Sequence, residues 1–563
     1  MIYHCEDHTC NYWDEGEKLP ERCPQCGRKL LRANEADMTG DDWPALGNTL
    51  WYAEASDKKR MVDCFRKAAY LGSAWGVCNL GICMEQGNGV EADPVQAFWL
   101  YQQAVEMGSL NAVCCLGVCY QYGIGTAPDA KQAAELYRKA AEYGSPRGQM
   151  LLAHAFHDGI GVEADAAEAV HWVRAAAYQR YGEGMYRLGV CYEYGDGVEQ
   201  NWEHAVHWFR EAAESGVSAA MTDLGYCYEK GCGVEQSWEQ AFSWYRRGAE
   251  CGYPVSMSNL GLCYKRGYGV EQNWQEAIKW YEQGAQCGDL QSMHNLAYCY
   301  DYGEGVEQNE ERALYWYRRG AEAGSDYCMY CLGWNYSNGE GVEQNMTEAI
   351  RWYTAAAEGG NADAMHNLGW HYDHGEGVEQ DMKKAICWYE RAAEQNHPAA
   401  MNSLGECYAM GRGVPRDLET AMEWYRRAAE LGEAMADYNM GWHLEQAGKL
   451  SEAYAHYRKA ADGNDDSAWW ALGRFYENGV VVAQDGKEAR RCYETGEKLG
   501  SVKCKMRLAR CKLLGIGGRR EKKAGLDLCR QALELAKESS EKEDYGYEAE
   551  MNLLRRTIAE NES

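Results

Sequence analysis

The chain has 563 residues, long enough for several ordinary domains or for one extended architecture in which no single core need grow large. With 57 Lys+Arg against 86 Asp+Glu the formal net charge is -29, which disfavours nonspecific attraction to phosphate backbones and anionic lipid. No run of eighteen apolar residues occurs, and "MIYHCEDHTC" has neither a basic nor an apolar leader region, so the expectation is a cytoplasmic protein with no membrane span.

The first element is "YHCEDHTCNYWDEGEKLPERCPQCGRKLLRAN", whose cysteines run Cys5-x4-Cys10-x12-Cys23-x2-Cys26. Its half "LPERCPQCGRKL" resembles the second knuckle of zinc ribbons and rubredoxin-like modules, which implies a small β-rich ribbon over 1–36. Four thiolates suit tetrahedral Zn²⁺, with iron as the alternative metal. The first half has a four-residue gap where such modules have two, and His4 and His8 offer alternatives to Cys5 and Cys10. A site closed by four protein ligands is structural, because catalysis needs an open coordination position.

From there a repeat takes over. The small residue after Leu recurs as Gly81, Gly117, Ala153, Gly189, Gly225, Gly261, Ala297, Gly333, Gly369, Gly405 and Gly441, at every interval 36 residues. Gly47 precedes the series and Gly473 and Ala509 follow it, which makes fourteen units. In "SAAMTDLGYCYEKGCGVEQSWEQAFSWYRRGAECG" the residues Ala220, Leu224, Gly225 and Tyr228 share one face of a first helix. Gly231 and Gly233 are expected to end it, and Val234 to plug between helices.

A second helix starts at an N-cap position held by Asp93, Asp129, Asp165, Asn201, Ser237, Asn273, Asn309, Asn345, Asp381, Asp417 and Asp485. Its buried stripe is marked by Ala241, Trp244, Tyr245 and Ala249, and Trp172, Trp208, Trp244, Trp280, Trp316, Trp352, Trp388 and Trp424 hold one column. That column reads as core and not as a cofactor box, since each ring can pack on small residues of a neighbouring helix. Most of the 25 cysteines fall inside these helical patterns and read as small buried thiols in a reducing compartment.

The pattern "A…LG..Y..G.GV..D…A..WY..AAE.G" resembles the Sel-1-like repeat, a longer-looped branch of the tetratricopeptide superfamily, over residues 41–535. The resemblance implies an all-α, right-handed superhelical solenoid of about fourteen helix pairs behind the ribbon. The Gly47 unit and Met440 to Gly463 lack the G-x-G-V insertion and read as plain tetratricopeptide units. Residues 536–563 are highly charged and read as a terminal cap or tail.

In related solenoids the first helix of each pair lines the concave surface, and three columns of it read here as a groove. Two residues before the small residue stand Asn259, Asn295, Asn367 and Asn439, along with Asn79. One residue after it stand Tyr226, Tyr298, Trp334, Trp370 and Trp442, and four after it Glu193, Glu229, Asp301 and Asp373. Amides that match a peptide backbone, rings and carboxylates on one face suggest a polypeptide partner with basic and apolar side chains. For the asparagines a structural bond between helices is the competing reading.

Chemistry elsewhere is weakly signalled. His366, His371 and His374, His154 with His157, and His204 with His207 fall in columns filled elsewhere by Tyr, Trp, Glu or Lys, and read as surface variation. The loops G-x-G-V-E-Q lack a third glycine, a P-loop Lys-Ser/Thr and a preceding strand, so they fail as nucleotide sites. The expected function is a non-enzymatic scaffold with an accessory zinc ribbon. A hydrolase is one alternative, because some cysteine-rich members of the family are hydrolases, but their regularly paired cysteines are not matched here. Nucleic-acid binding through the ribbon is another, disfavoured by five Lys/Arg against seven Asp/Glu in 1–36.

Overall fold

A computed structural model describes residues 2–5, 13–15, 30–33, 38, 40, 42–51, 55–542 and 548–562. It falls into two compact units, 1–292 and 293–563. The described residues form three short strands and 29 helices. Strands Ile2–Cys5, Trp13–Glu15 and Leu30–Ala33 make one antiparallel sheet with the first strand in the middle, pairing His4 with Trp13 and Cys5 with Leu30. Of the proposed metal ligands only the backbone of Cys5 is described; Cys10, Cys23 and Cys26, and the alternative His8, lie outside the described residues.

The helices form fourteen consecutive pairs and one terminal helix, Glu548–Glu562, and within each unit the pairs stack into an α-solenoid. From Ala74 onward the first and second helices of almost every pair are thirteen residues long. All eleven predicted capping residues accept a hydrogen bond from a backbone N–H in the first turn, as Asn201 does from His204 at 3.0 Å and Ser237 from Gln240 at 3.3 Å. In the short unit, helices Ala434–Gln446 and Leu450–Asp462 are joined by a brief turn, and Lys449 supplies no side-chain cap.

The two loop glycines do different jobs. Gly231 ends helix Ser218–Lys230 in the left-handed conformation, φ 74°, donating its N–H to the Cys227 carbonyl at 2.8 Å. Gly233, φ 69°, instead presses against the backbone of Trp202, the first residue of the preceding pair's second helix, where a Cβ would collide with the carbonyl. The second glycine is thus the point where one pair sits on the last. Gln236 completes the loop by donating Nε2 to the Glu229 carbonyl at 2.8 Å, and Gln200, Gln272, Gln344, Gln380 and Gln484 repeat that bond. Val234 packs on the core as expected.

The core differs from the expected tryptophan stripe. The fully buried column is the tyrosine beside it: Tyr101, Tyr137, Tyr245, Tyr281, Tyr317, Tyr353, Tyr389, Tyr425, Tyr457 and Tyr493. Wherever the small residue of the first helix is glycine the ring lies against it, so close that a Cβ on Gly225 would stand 2.6 Å from Tyr245 Cε1. Trp244 is buried, but Trp208, Trp316, Trp388 and Trp424 are only half-buried. Arginines lie over several of these rings, Arg247 4.3 Å from the Trp244 centroid and Arg391 4.3 Å from Trp388, as expected for large rings at a solvent boundary.

Cysteine fills a second small-residue column two positions after the Leu-Gly site. Cys83, Cys119, Cys227, Cys263, Cys299, Cys407 and Cys511 are buried thiols there, in keeping with the packing role expected of them. At the end of the chain, helix Lys522–Lys542 runs through the expected boundary at 536. Met551 and Leu554 of the terminal helix pack with Met506, Ala509, Cys529 and Ala532, so this segment closes the last pair.

Candidate functional site

The buried tyrosine ends in a hydroxyl, and a buried hydroxyl needs a partner. The column four residues after the small residue provides it. Tyr101 donates to Glu85 at 2.5 Å, Tyr137 to Gln121 at 2.7 Å, Tyr245 to Glu229 at 2.9 Å and Tyr493 to Glu477 at 2.8 Å. Glu229 also pairs with Lys230 at 2.8 Å. Two of the carboxylates proposed for the groove, Glu229 and Asp301, therefore anchor the fold: Tyr317 reaches Asp301 at 3.3 Å. Burial raises the pKa of both Asp301 and Glu193.

The asparagine column divides likewise. Asn439 donates to Asn402 at 3.0 Å and to Glu406 at 3.2 Å, bridging neighbouring first helices, and Asn79 donates to Asn48 at 3.0 Å. Asn367 hydrogen-bonds the hydroxyls of the half-buried Tyr330 and the buried Tyr353. Asn259 and Asn295 are half-buried. The aromatic column is the most open of the three: Tyr226 and Trp334 are 43% and 44% exposed and Trp442 38%, while Tyr298 and Trp370 are half-buried. Tyr298 lies 4.5 Å from Tyr302, and Trp370 stacks on His374 at 4.3 Å.

Within 293–563 the aromatic and carboxylate columns meet, through Trp370 and Asp373, at a recess of about 800 Å³ that Glu406, Arg412, Glu433 and Met435 also line. Asp373 is buried and binds Arg412 at 3.0 Å, while Glu406 meets the same guanidinium at 3.7 Å and accepts from Asn402 at 3.1 Å. The Arg412 Nε carries no hydrogen bond. Burial, partly offset by Arg412, raises the pKa of Glu406. Arg412 pairs with Asp373 and Glu406 while Glu376 and Glu433 also line the recess, so the recess is acidic around an aromatic wall.

Two histidines expected at the surface are not there. His371 is buried, its Nδ1 3.1 Å from the Glu376 carbonyl, and burial lowers its pKa. His366 stacks on His397 at 5.2 Å, and burial beside that ring pulls it down to about 4. Ser403 Oγ lies 3.4 Å from His366 Nε2 but also donates to the Ala399 carbonyl at 3.1 Å. So weak a base gives little driving force for activating a serine. His204 and His207 are exposed, as expected. Among the described residues no group of three or more His, Cys, Asp and Glu is placed to hold a metal ion, and no helix is long and apolar enough to cross a membrane.

Stacked helix pairs with capped glycine loops and a tyrosine-on-glycine core define an α-helical repeat protein of the tetratricopeptide-like class. Thirteen segments from 76–109 to 502–537 match the Sel1 repeat, and the chain belongs to that family. The first helix pair, around Gly47, lies outside the matched segments. The chain is similar to c5321, a protective antigen of uropathogenic Escherichia coli with an SLR fold, at 29% identity over 76% of this chain and 90% of that one, TM-score 0.55. It is also similar to a Sel1 repeat protein of Oxalobacter formigenes, at 33% identity over 44% of this chain and 98% of that one, TM-score 0.41. No curated protein matches it.

Proposed function

We propose that this protein is a non-enzymatic cytoplasmic scaffold that holds a polypeptide partner on the first-helix face of its solenoid. Membership of a repeat family typical of protein-interaction scaffolds supports this reading. The observation that carries it is the acidic recess beside the half-buried Trp370, with Trp442 and Met435 exposed in 293–563. A Lys or Arg side chain would meet Asp373, Glu406 and Glu433 there, and its neighbours would rest on the exposed rings. Display-library panning on the full chain tests it: enrichment of basic peptides whose affinity falls in Trp370→Ala with Trp442→Ala supports the reading, and unchanged affinity sinks it.

The ribbon over 1–36 we read as a structural zinc module that serves as an accessory docking module, with Cys5, Cys10, Cys23 and Cys26 as ligands. Their spacing and the pairing of the three strands support this. Zinc held by four thiolates would lend so short a segment folding energy that a small core cannot supply.

A further inference from the structure

A recess of about 390 Å³ opens in 1–292 between helices Pro146–Asp158, Ala166–Tyr178 and Gly182–Tyr194. It lies where the repeat breaks its own rule. In the neighbouring pairs the residue facing Gly117, Gly189 and Gly225 is a buried ring, Tyr137, Phe209 and Tyr245. Facing Ala153 the same place holds Val173, so the ring is missing and its space is walled by Ala153, Ala169, Val170, Val173 and Val190.

The hydrogen-bond partner is missing with it. Where Gln121 and Glu229 receive a tyrosine hydroxyl, this pair has His157, whose Nδ1 lies 2.6 Å from Asp158 and whose Nε2 lies 3.2 Å from Asp196. Next to it His154 keeps a buried Nε2 that bonds to nothing. Burial, with Arg187 nearby, lowers the His154 pKa and so disfavours the charged imidazole. A buried polar atom without a partner is costly and marks a place where one is wanted.

We propose that this recess binds a phenol, an aromatic ring carrying one hydroxyl, with the ring against Ala169, Val170 and Val173 and the hydroxyl bonded to His154 Nε2. The guest replaces the ring that this pair lacks. An apolar cavity of about 150 Å³ is enough for benzene, so a recess of about 390 Å³ has room for the hydroxyl and for a substituent on the ring. The site stands independently of the acidic recess in 293–563.

The test is calorimetric titration of the full chain with p-cresol, N-acetyltyrosinamide and N-acetylphenylalaninamide. The control is the double variant Ala153→Gly with Val173→Tyr, which rebuilds the Gly117 and Tyr137 arrangement and is therefore expected to fold. Wild type is expected to bind p-cresol, the double variant at least about tenfold more weakly, and His154→Leu about five- to tenfold more weakly, the loss of one hydrogen bond. Matching affinity for N-acetyltyrosinamide identifies a partner's tyrosine as the natural guest, and binding of p-cresol alone identifies a free small molecule. No p-cresol binding, binding that survives refilling, or equal binding of the phenylalanine amide overturns the proposal.

Discussion

Gly225→Ala places a methyl group 2.6 Å from Tyr245 Cε1, 2.7 Å from Cδ1 and 3.1 Å from Cζ. By helix propensity alone the change should stabilise helix Ser218–Lys230 by up to about 1 kcal/mol. Against this, Tyr245 is fully buried and tied to Glu229 at 2.9 Å, so the ring cannot retreat without overpacking, at about 1–3 kcal/mol, and without stretching a bond to a charged acceptor. The pair that already carries alanine shows the direction: facing Ala297, Tyr317 reaches its acceptor only at 3.3 Å, although Asp301 is also one methylene shorter than glutamate. We expect a net loss of about 1–2 kcal/mol, localised to this pair because repeat arrays open locally. Hydrogen exchange of the amides in Trp238–Glu250 is the assay. Adding Tyr245→Val imitates the natural Ala153 and Val173 pair and should recover about 1 kcal/mol relative to the sum of the single changes. Slower exchange in Gly225→Ala would refute the reasoning, because propensity would then outweigh packing.

Burial pushes the Asp465 carboxyl up to about 6 from an ordinary 3.8, while it caps its helix by accepting from Ala468 N at 2.7 Å. A raised acid pKa means the folded state holds the proton longer, so this group's contribution falls as pH rises from about 4 to 6 and is level above. Asp465→Asn keeps the cap and should stabilise the last pairs by about 1–2 kcal/mol above pH 6, flattening that slope in thermal melts; an unchanged pH profile would contradict this. Brief alkylation at neutral pH should label the exposed Cys251, Cys287 and Cys387 and spare Cys227 and Cys263, whose thiols burial pushes up to about 12; equal labelling by peptide mass spectrometry would deny the packing column. Chelation should remove about one zinc per chain and disorder the ribbon while leaving the array's helicity intact, and Cys23→Ser with Cys26→Ser should abolish that zinc; metal content unchanged in the double variant would end the ribbon assignment.

The helix pairs were legible because their signals are local. A capping residue, a glycine with φ near 70° and a period of 36 residues each act within a few positions of one another, and all eleven caps fall where the sequence places them. What joins one pair to the next was not legible in the same way. The second loop glycine belongs to a contact 31 residues back, between Gly233 and Trp202, and nothing near Gly233 announces it. The adjacent Trp and Tyr columns differ in burial by a rotation of one residue, which periodicity alone does not resolve. The signal that could have found the tyrosine core was internal: Gly faces an aromatic residue in most pairs, and Ala153 faces Val173. The carboxylate column looked like ligand chemistry because its partner, the tyrosine hydroxyl, lies 16 residues further along the chain.

The central claim is that the acidic recess around Trp370 in 293–563 receives a basic segment of a polypeptide. The most direct measurement is calorimetric binding of the best panned basic peptide to wild type, to Trp370→Ala with Trp442→Ala, and to the same peptide with its Lys and Arg replaced by Gln. Binding is expected to be at least about tenfold weaker both for the double variant and for the neutralised peptide, with affinity falling as salt rises. Affinity indifferent to both changes would contradict it.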